Sequence, residues 1–346
     1  MRAAGNAEMA RWDDLVVANP DGGQILQSRA WGEFKRAHRW TPGYLLSDAD
    51  PRVAVLMLRH GVPGLGDLGY IPKGPGIAAI DQLGTVIDEL RDSADRAFVI
   101  KVEPEIEQTD AAVRAMRAIG LEKSRHDVQI SRATIIVDLR PDEDALLASF
   151  KPKCRYNIRL AQRHGVTVEP VALDTASIDT MYELMASTRD RAGFTLRSKE
   201  YFSGYWRLHA AAGQGQLFFA SLDGTVLAGV FATYMGAKAW YKDGGSTKEH
   251  SAVMAPHLLQ WEVMRWLKSR EVAAYDLVAV PPAGQLTPDH PLFGLYRFKS
   301  GFSERITEYV GTWDLTIRRS RHAAWNRFAE RAAHQWSYRV RHDLLY

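Results

Sequence analysis

Apolar positions along this chain recur in two rounds of the same order. In the first, residues 53–58 read as a strand. Residues 68–76 read as a second strand, one that leaves its sheet through a Gly- and Pro-rich turn. Residues 81–94 set Leu83, Val86, Ile87 and Leu90 at helical spacing, and residues 97–103 follow as a buried strand stopped by Pro104. In the second round, residues 215–222 and 226–235 predict a hairpin across Asp223-Gly224. Residues 238–243 read as a strand running into Gly244-Gly245-Ser246, residues 255–269 as a helix and residues 274–277 as a strand. The rounds share a pattern without obvious residue identity, which predicts a duplicated α/β fold.

Other segments fill in around these rounds. Residues 1–10 are expected to be a polar, frayed start, and residues 11–18 a short helix ended by Asn19-Pro20-Asp21-Gly22-Gly23. Ser28 is placed to cap a helix carrying Trp31, Phe34 and Lys35. Helices are predicted over residues 111–119, 142–150, 178–192 and 199–212, and strands over 134–138, 166–171 and 312–315. Residues 318–338 predict a basic helix with Trp325, Phe328 and Trp336. The expected domains are residues 1–143, completed by the C-terminal segment 312–346, and residues 144–311.

Composition narrows the class. The 346 residues are 46% apolar and 25% charged, as in a soluble globular protein of one large or two ordinary domains. A net charge of only +3 means that affinity for a polyanion must come from a local patch. The single Cys154 excludes an intramolecular disulfide and a cysteine-rich metal site, so a reducing cytoplasm is the expected compartment. Neither a signal-peptide pattern nor an apolar run of membrane-spanning length is present, so any membrane contact is expected to be peripheral.

Familiar enzyme signatures are missing: no GxSxG elbow, no P-loop, no HExxH and no CxxC pair. The histidines show no ligand spacing, and Gly244-Gly245-Ser246 reads as a turn entering a helix. Instead, cations and tyrosines stand beside turns. Residues 290–302 set Arg297 and Lys299 among Leu292, Phe293, Leu295, Tyr296 and Phe298, with Gly294 and Gly301 as bracketing turns. Such a segment can bury its aromatic face and hold a cation at a cavity wall, or it is a helix start with snorkelling basic residues. Lys35 follows Trp31 by four residues, so the two share a helix face, and Arg197 and Tyr201 have the same spacing. A guanidinium beside a tyrosine suits a diphosphate or a carboxylate; the plain alternative is a solvated arginine over an aromatic. Tyr70 and Tyr241 each sit on a strand before a Gly-rich turn, where a half-buried strand tyrosine is the plain reading. Glu103 before Pro104 is either a general base or a strand-end cap. Residues 151–163 are the densest positive stretch, which by itself is most simply a solvated face.

Four segments in order resemble the FemABX family of non-ribosomal aminoacyl transferases: residues 27–35 (QSRAWGEFK), 151–161 (KPKCRYNIRLA), 241–246 (YKDGGS) and 294–302 (GLYRFKSGF). Residues 259–262 (LQWE) and 275–277 (YDL) match as well, so the resemblance spans about residues 24 to 315. It implies an α/β fold of two acetyltransferase-like (GNAT) domains in tandem, without the coiled-coil arm of longer members. It implies transfer of an amino acid from aminoacyl-tRNA to the stem-peptide amine of a peptidoglycan precursor, either UDP-MurNAc-pentapeptide or its lipid-linked form. The resemblance puts Lys35 and Arg197, with Trp31 and Tyr201, at the precursor's phosphates, and Lys299 with Phe298 near the acceptor end of the tRNA. Tyr70 and Tyr241 would orient the stem peptide or stack on an adenine. Lys151, Lys153, Arg155 and Arg159 would meet tRNA phosphates. Glu103 stands where the family often has an aspartate before proline, a departure that bears on its role as base. The donor is already an activated ester, so no cofactor, metal or enzyme nucleophile is called for, and a monomer is expected. Two other readings use the same fold: a transferase that tailors a small peptide or natural product, and a non-catalytic RNA-binding protein. Glycine, alanine and serine all remain open as the transferred residue.

Overall fold

The computed structural model of the protein describes residues 1–48, 50–192, 196–331 and 333. The chain divides into two units, Met1–Arg132 together with the chain from Glu308 onward, and Ala133–Thr307. Each unit is built on a seven-stranded sheet. The first unit supplies β1 (Arg2–Ala3), β2 (Thr41–Leu46), β3 (Ala54–Val62), β4 (Gly66–Ile71), β5 (Ala97–Val102) and β6 (Leu121–Lys123). The second sheet holds β7 (Ala133–Asp138), β8 (Thr167–Val171), β9 (Gly215–Leu222), β10 (Thr225–Met235), β11 (Lys238–Ser246), β12 (Ala274–Asp276) and β13 (Ile306–Glu308). β14 (Trp313–Thr316) returns to the first sheet, between β5 and β6.

Helices α1 (Asn6–Ala10), α2 (Trp12–Val17), α3 (Arg29–Ala37), α4 (Leu83–Asp92) and α5 (Asp110–Ala118) precede the second unit. That unit carries α6 (Glu143–Ser149), α7 (Pro152–Arg163), α8 (Thr175–Ala192), α9 (Lys199–Ala211), α10 (Ala255–Lys268) and α11 (Phe293–Lys299). α12 (Arg319–Ala324) follows β14. The two rounds read from the sequence are β3-β4-α4-β5 and β10-β11-α10-β12. In both, an antiparallel pair is followed by a helix and then by a strand parallel to the pair's second member.

Strand alternation gives the first sheet two unlike faces. Ile71, Ile100, Val102, Trp313 and Leu315 share one, in a continuous core with Leu83, Val86, Ile87 and Leu90 of α4. Across the register Tyr44 pairs with Leu56, Leu58 with Tyr70, and both Tyr70 and Asp314 with Lys101, so these residues share the other face. α3 lies on this second face: a Cβ at Gly32 would run into the Tyr44 hydroxyl and Leu56. Ser28 caps α3, its hydroxyl accepting from Trp31 N at 3.0 Å. Lys101 bonds to Asp314 at 2.9 Å with both side chains buried, and Ser124 and His322 also bond Asp314. This network ties the returning strand and α12 to β5.

In the second unit, Ile158 of α7 and Leu258 and Leu259 of α10 share a core with Ala239 and Tyr275 of the sheet. On the opposite face Trp206 of α9 meets Phe231 of β10, ring centroids 5.9 Å apart. β11 is bulged at Lys242: Tyr241 pairs with Ala232 but Asp243 pairs with Phe231. Adjacent residues of β10 point to opposite faces, so the bulge sends Tyr241 and Asp243 to opposite sides of the sheet.

Four expectations change. Residues 1–10 are not a frayed start: β1 pairs with β2, and Glu8 holds Arg2 at 2.6 Å and the Gly5 N–H at 2.8 Å ahead of α1. Residues 133–143 belong with the second sheet because β7 pairs with β12, and residues 308–311 belong with the first unit, where Val310 N donates to Ile106 O. Gly244-Gly245-Ser246 is strand, not a turn. A Cβ at Gly244 would strike the Tyr241 ring, and one at Gly245 the backbone of α8. The C-terminal helix passes from α12 into a π-helical turn at Trp325–Ala329; Trp336 and the end of the helix read to residue 338 lie outside the described residues.

Candidate active site

Lys299 ends α11 and is the buried residue of that helix, at 4% exposure. Its Nζ donates to the carbonyls of Val278 at 2.6 Å and Ala279 at 3.1 Å. The same nitrogen lies 5.5 Å from the Tyr241 ring centroid. Val278 and Ala279 follow β12 with φ of 56° and 33°. A β-branched residue in the left-handed region is strained, and here the conformation turns two successive carbonyls toward one amine. Asp276 fixes the turn by accepting from Val278 N at 2.6 Å, and it accepts from the Thr134 hydroxyl as well. Burial pushes the Lys299 pKa down to about 7, with nearby Asp276 acting in the opposite direction.

Phe298 is half-buried and meets His257 edge-on at 5.1 Å and Phe302 edge-on at 5.4 Å. Gly294 sits within α11, where a Cβ would meet nothing within 4 Å, so it sets no turn. Arg297 is exposed.

Arg197 and Tyr201 form the expected pair, the guanidinium 4.3 Å from the ring centroid. Ser198 caps α9 by accepting from Tyr201 N, and the Tyr182 hydroxyl donates to Arg197 O, which fixes the approach of the loop. From Tyr201 a run of ring contacts passes through Phe202 to Trp206, whose indole donates to Asp243 at 2.9 Å. Burial raises the Asp243 pKa.

On the second face of the first sheet, Glu103 is 4% exposed and accepts from the Tyr70 and Thr312 hydroxyls, each at 2.5 Å. Gln129 completes the group, its amide nitrogen donating to the Tyr70 oxygen at 2.8 Å. Lys35 and Trp31 share the α3 face, with Nζ 5.1 Å from the indole centroid and both side chains buried. Sequence reasoning thus found Tyr70 and Glu103 but not their partners, Gln129 and Thr312. It found Lys299 but not Val278 and Ala279. The matched stretch Tyr275-Asp276-Leu277 carried the one usable signal, because it contains Asp276.

The basic run forms α7, and its members divide. Arg155 donates to the carbonyls of Ala148 and Phe150, closing the C-terminus of α6. Lys151 pairs with Glu304 at 2.7 Å. Lys153 and Arg159 are exposed, and Lys153 lies 4.7 Å from the ring centroid of Tyr156.

Comparison with known proteins bears on the family and the fold. A family model described as the FemAB family matches residues 13–223, and one described as an acetyltransferase (GNAT) domain matches residues 148–300. A lipid II:glycine glycyltransferase of Staphylococcus aureus is 23% identical, over 88% of this chain and 90% of the relative. The crystal structure of FemX superposes with a TM-score of 0.83 at 21% identity, covering 94% of this chain and all (100%) of that one. The C-terminal domain of a putative lysylphosphatidylglycerol synthetase from Agrobacterium fabrum gives 0.51 at 14% identity, over 92% and 95% of the two chains. The fold is therefore the tandem GNAT-like α/β arrangement. Its longest helix among the described residues is the 18-residue α8.

Proposed function

Because the chain belongs to the FemAB family, we propose that this acyltransferase moves an amino acid from aminoacyl-tRNA to the stem-peptide amine of a peptidoglycan precursor. The observation that carries the reading is Lys299, a buried lysine held by two carbonyls above a tyrosine ring, with no carboxylate bonded to it among the described residues. Ester aminolysis needs a cation near a developing oxyanion and accurate placement of the amine, and no enzyme nucleophile. In the reaction the amine nitrogen bonds to the ester carbonyl carbon, the carbon–ribose oxygen bond breaks, and the amine's proton ends on the departing tRNA hydroxyl. Lys299 supplies the cation to the tetrahedral oxyanion.

Lys35 with Trp31, and Arg197 with Tyr201, are assigned to the precursor's phosphates, because a cation set against an aromatic ring has a defined position from which to bond phosphate oxygens. Tyr70 and Tyr241 are assigned to orienting the substrate. Glu103 is assigned as proton acceptor, its position fixed by Tyr70 and Thr312. Lys151, Lys153 and Arg159 are assigned to tRNA phosphates, while Arg155 serves mainly as the cap of α6. The relative's name, lipid II:glycine glycyltransferase, favours glycine as the residue to try first and a lipid-linked acceptor beside the soluble one. No helix among the described residues is long and apolar enough to cross a membrane. Incubation with charged tRNA and each form of the precursor, read by product mass, tests the reading.

A further inference from the structure

The exposed face of α7 carries more than the basic residues assigned above. Lys153, Tyr156, Arg159 and Arg163 recur at spacings that place them on one side of the helix, opposite the buried Cys154, Asn157, Ile158 and Ala161. Tyr156 is 48% exposed, one of few large apolar side chains left so open among the described residues. Lys153 Nζ lies 4.7 Å from its ring centroid, and the Arg163 guanidinium carbon 5.8 Å. Among the described residues none of Lys153, Arg159 and Arg163 has a carboxylate partner, in contrast to Lys151. An open ring among unneutralised cations is a poor protein core and a good surface for an unpaired base flanked by phosphates.

We infer that this face binds the single-stranded end of an RNA, with a base stacked on Tyr156 and phosphates on Lys153, Arg159 and Arg163. The inference rests on the aminoacyl-tRNA reading for the identity of the RNA, and adds the residue that recognises its unpaired part. An anionic membrane is the competing partner for a basic helix. A membrane-facing helix needs several apolar side chains on its outer face, and here Tyr156 is the one aromatic on that face, with cations on either side.

The test uses the full-length protein and uncharged tRNA, so it needs no transfer reaction. Binding is measured by fluorescence anisotropy over a range of salt, with intact tRNA and with tRNA trimmed of its unpaired 3′ nucleotides. Tyr156→Ala is expected to weaken binding of intact tRNA by about tenfold, and Tyr156→Phe to leave it near wild type. Trimming should cost wild type the same factor and cost Tyr156→Ala nothing further. Lys153→Ala, Arg159→Ala and Arg163→Ala should each reduce the slope of log Kd against log salt by about one. The inference is overturned if Tyr156→Ala binds intact tRNA as wild type does, or if trimming and Tyr156→Ala weaken binding independently. It is also overturned if vesicles containing phosphatidylglycerol bind this face while tRNA does not. Closure of this cycle with no aminoacyl transfer would leave the RNA-binding face standing and remove only the catalytic reading.

Discussion

Lys299 Nζ donates to the Val278 carbonyl at 2.6 Å, and Val278 holds that carbonyl in place with φ at 56°. The lysine and the strained turn are 21 residues apart and form one device. The turn presents two carbonyls, α11 delivers the amine, and Asp276 locks the turn through Val278 N. A cation so held is aimed before any substrate arrives, which is the condition for electrostatic stabilisation without reorganisation.

Relaxing the turn should therefore separate stability from rate. Val278→Gly relieves a strain of roughly 1–2 kcal/mol while loosening the carbonyls. Thermal unfolding is expected at or near the wild-type temperature, with kcat reduced about tenfold. Unchanged kcat would show that the turn does not position Lys299.

Removing the cation should cost rate and spare binding. Lys299→Met is expected to lower kcat by roughly 100-fold or more, with the precursor dissociation constant kept. Near-normal turnover would refute the assigned role.

The pH dependence follows from the same burial. The Lys299 pKa is pushed down to about 7, so the ammonium is lost as pH rises through that value. If the cation is the working form, the wild-type rate should fall on the alkaline side from about pH 7. Lys299→Arg, which stays charged, should move that limb upward even if its rate is lower. An alkaline limb that stays in place in Lys299→Arg would assign the ionisation to another group.

The phosphate assignments are read by binding. Lys35→Ala and Arg197→Ala should each weaken the affinity for UDP-MurNAc-pentapeptide by about tenfold in calorimetry. A dissociation constant that does not move would remove the residue concerned from the phosphate site.

The cap at Ser28, the spacing of Trp31 and Lys35, the Arg197–Tyr201 pair and the doubled order of strands and helices are local patterns, and the structure has each of them. What stayed hidden was set by tertiary contacts. Nothing in Val278-Ala279 announces a left-handed turn, because β-branched residues adopt it only when surrounding structure compels them. Glu103 meets Thr312 across 209 positions, a pairing that exists only once β14 has returned beside β5. Gly244-Gly245 has the composition of a turn, but its role is to make room for the Tyr241 ring and for α8.

The most direct measurement mixes the purified protein with charged tRNA and, in parallel, UDP-MurNAc-pentapeptide or its lipid-linked form, and follows the mass of the precursor. The expected result is a gain of one amino-acid residue on the stem peptide, dependent on the charged tRNA and lost with Lys299→Met. Failure to transfer to either precursor from tRNA charged with glycine, alanine or serine would rule out aminoacyl transfer to the stem peptide.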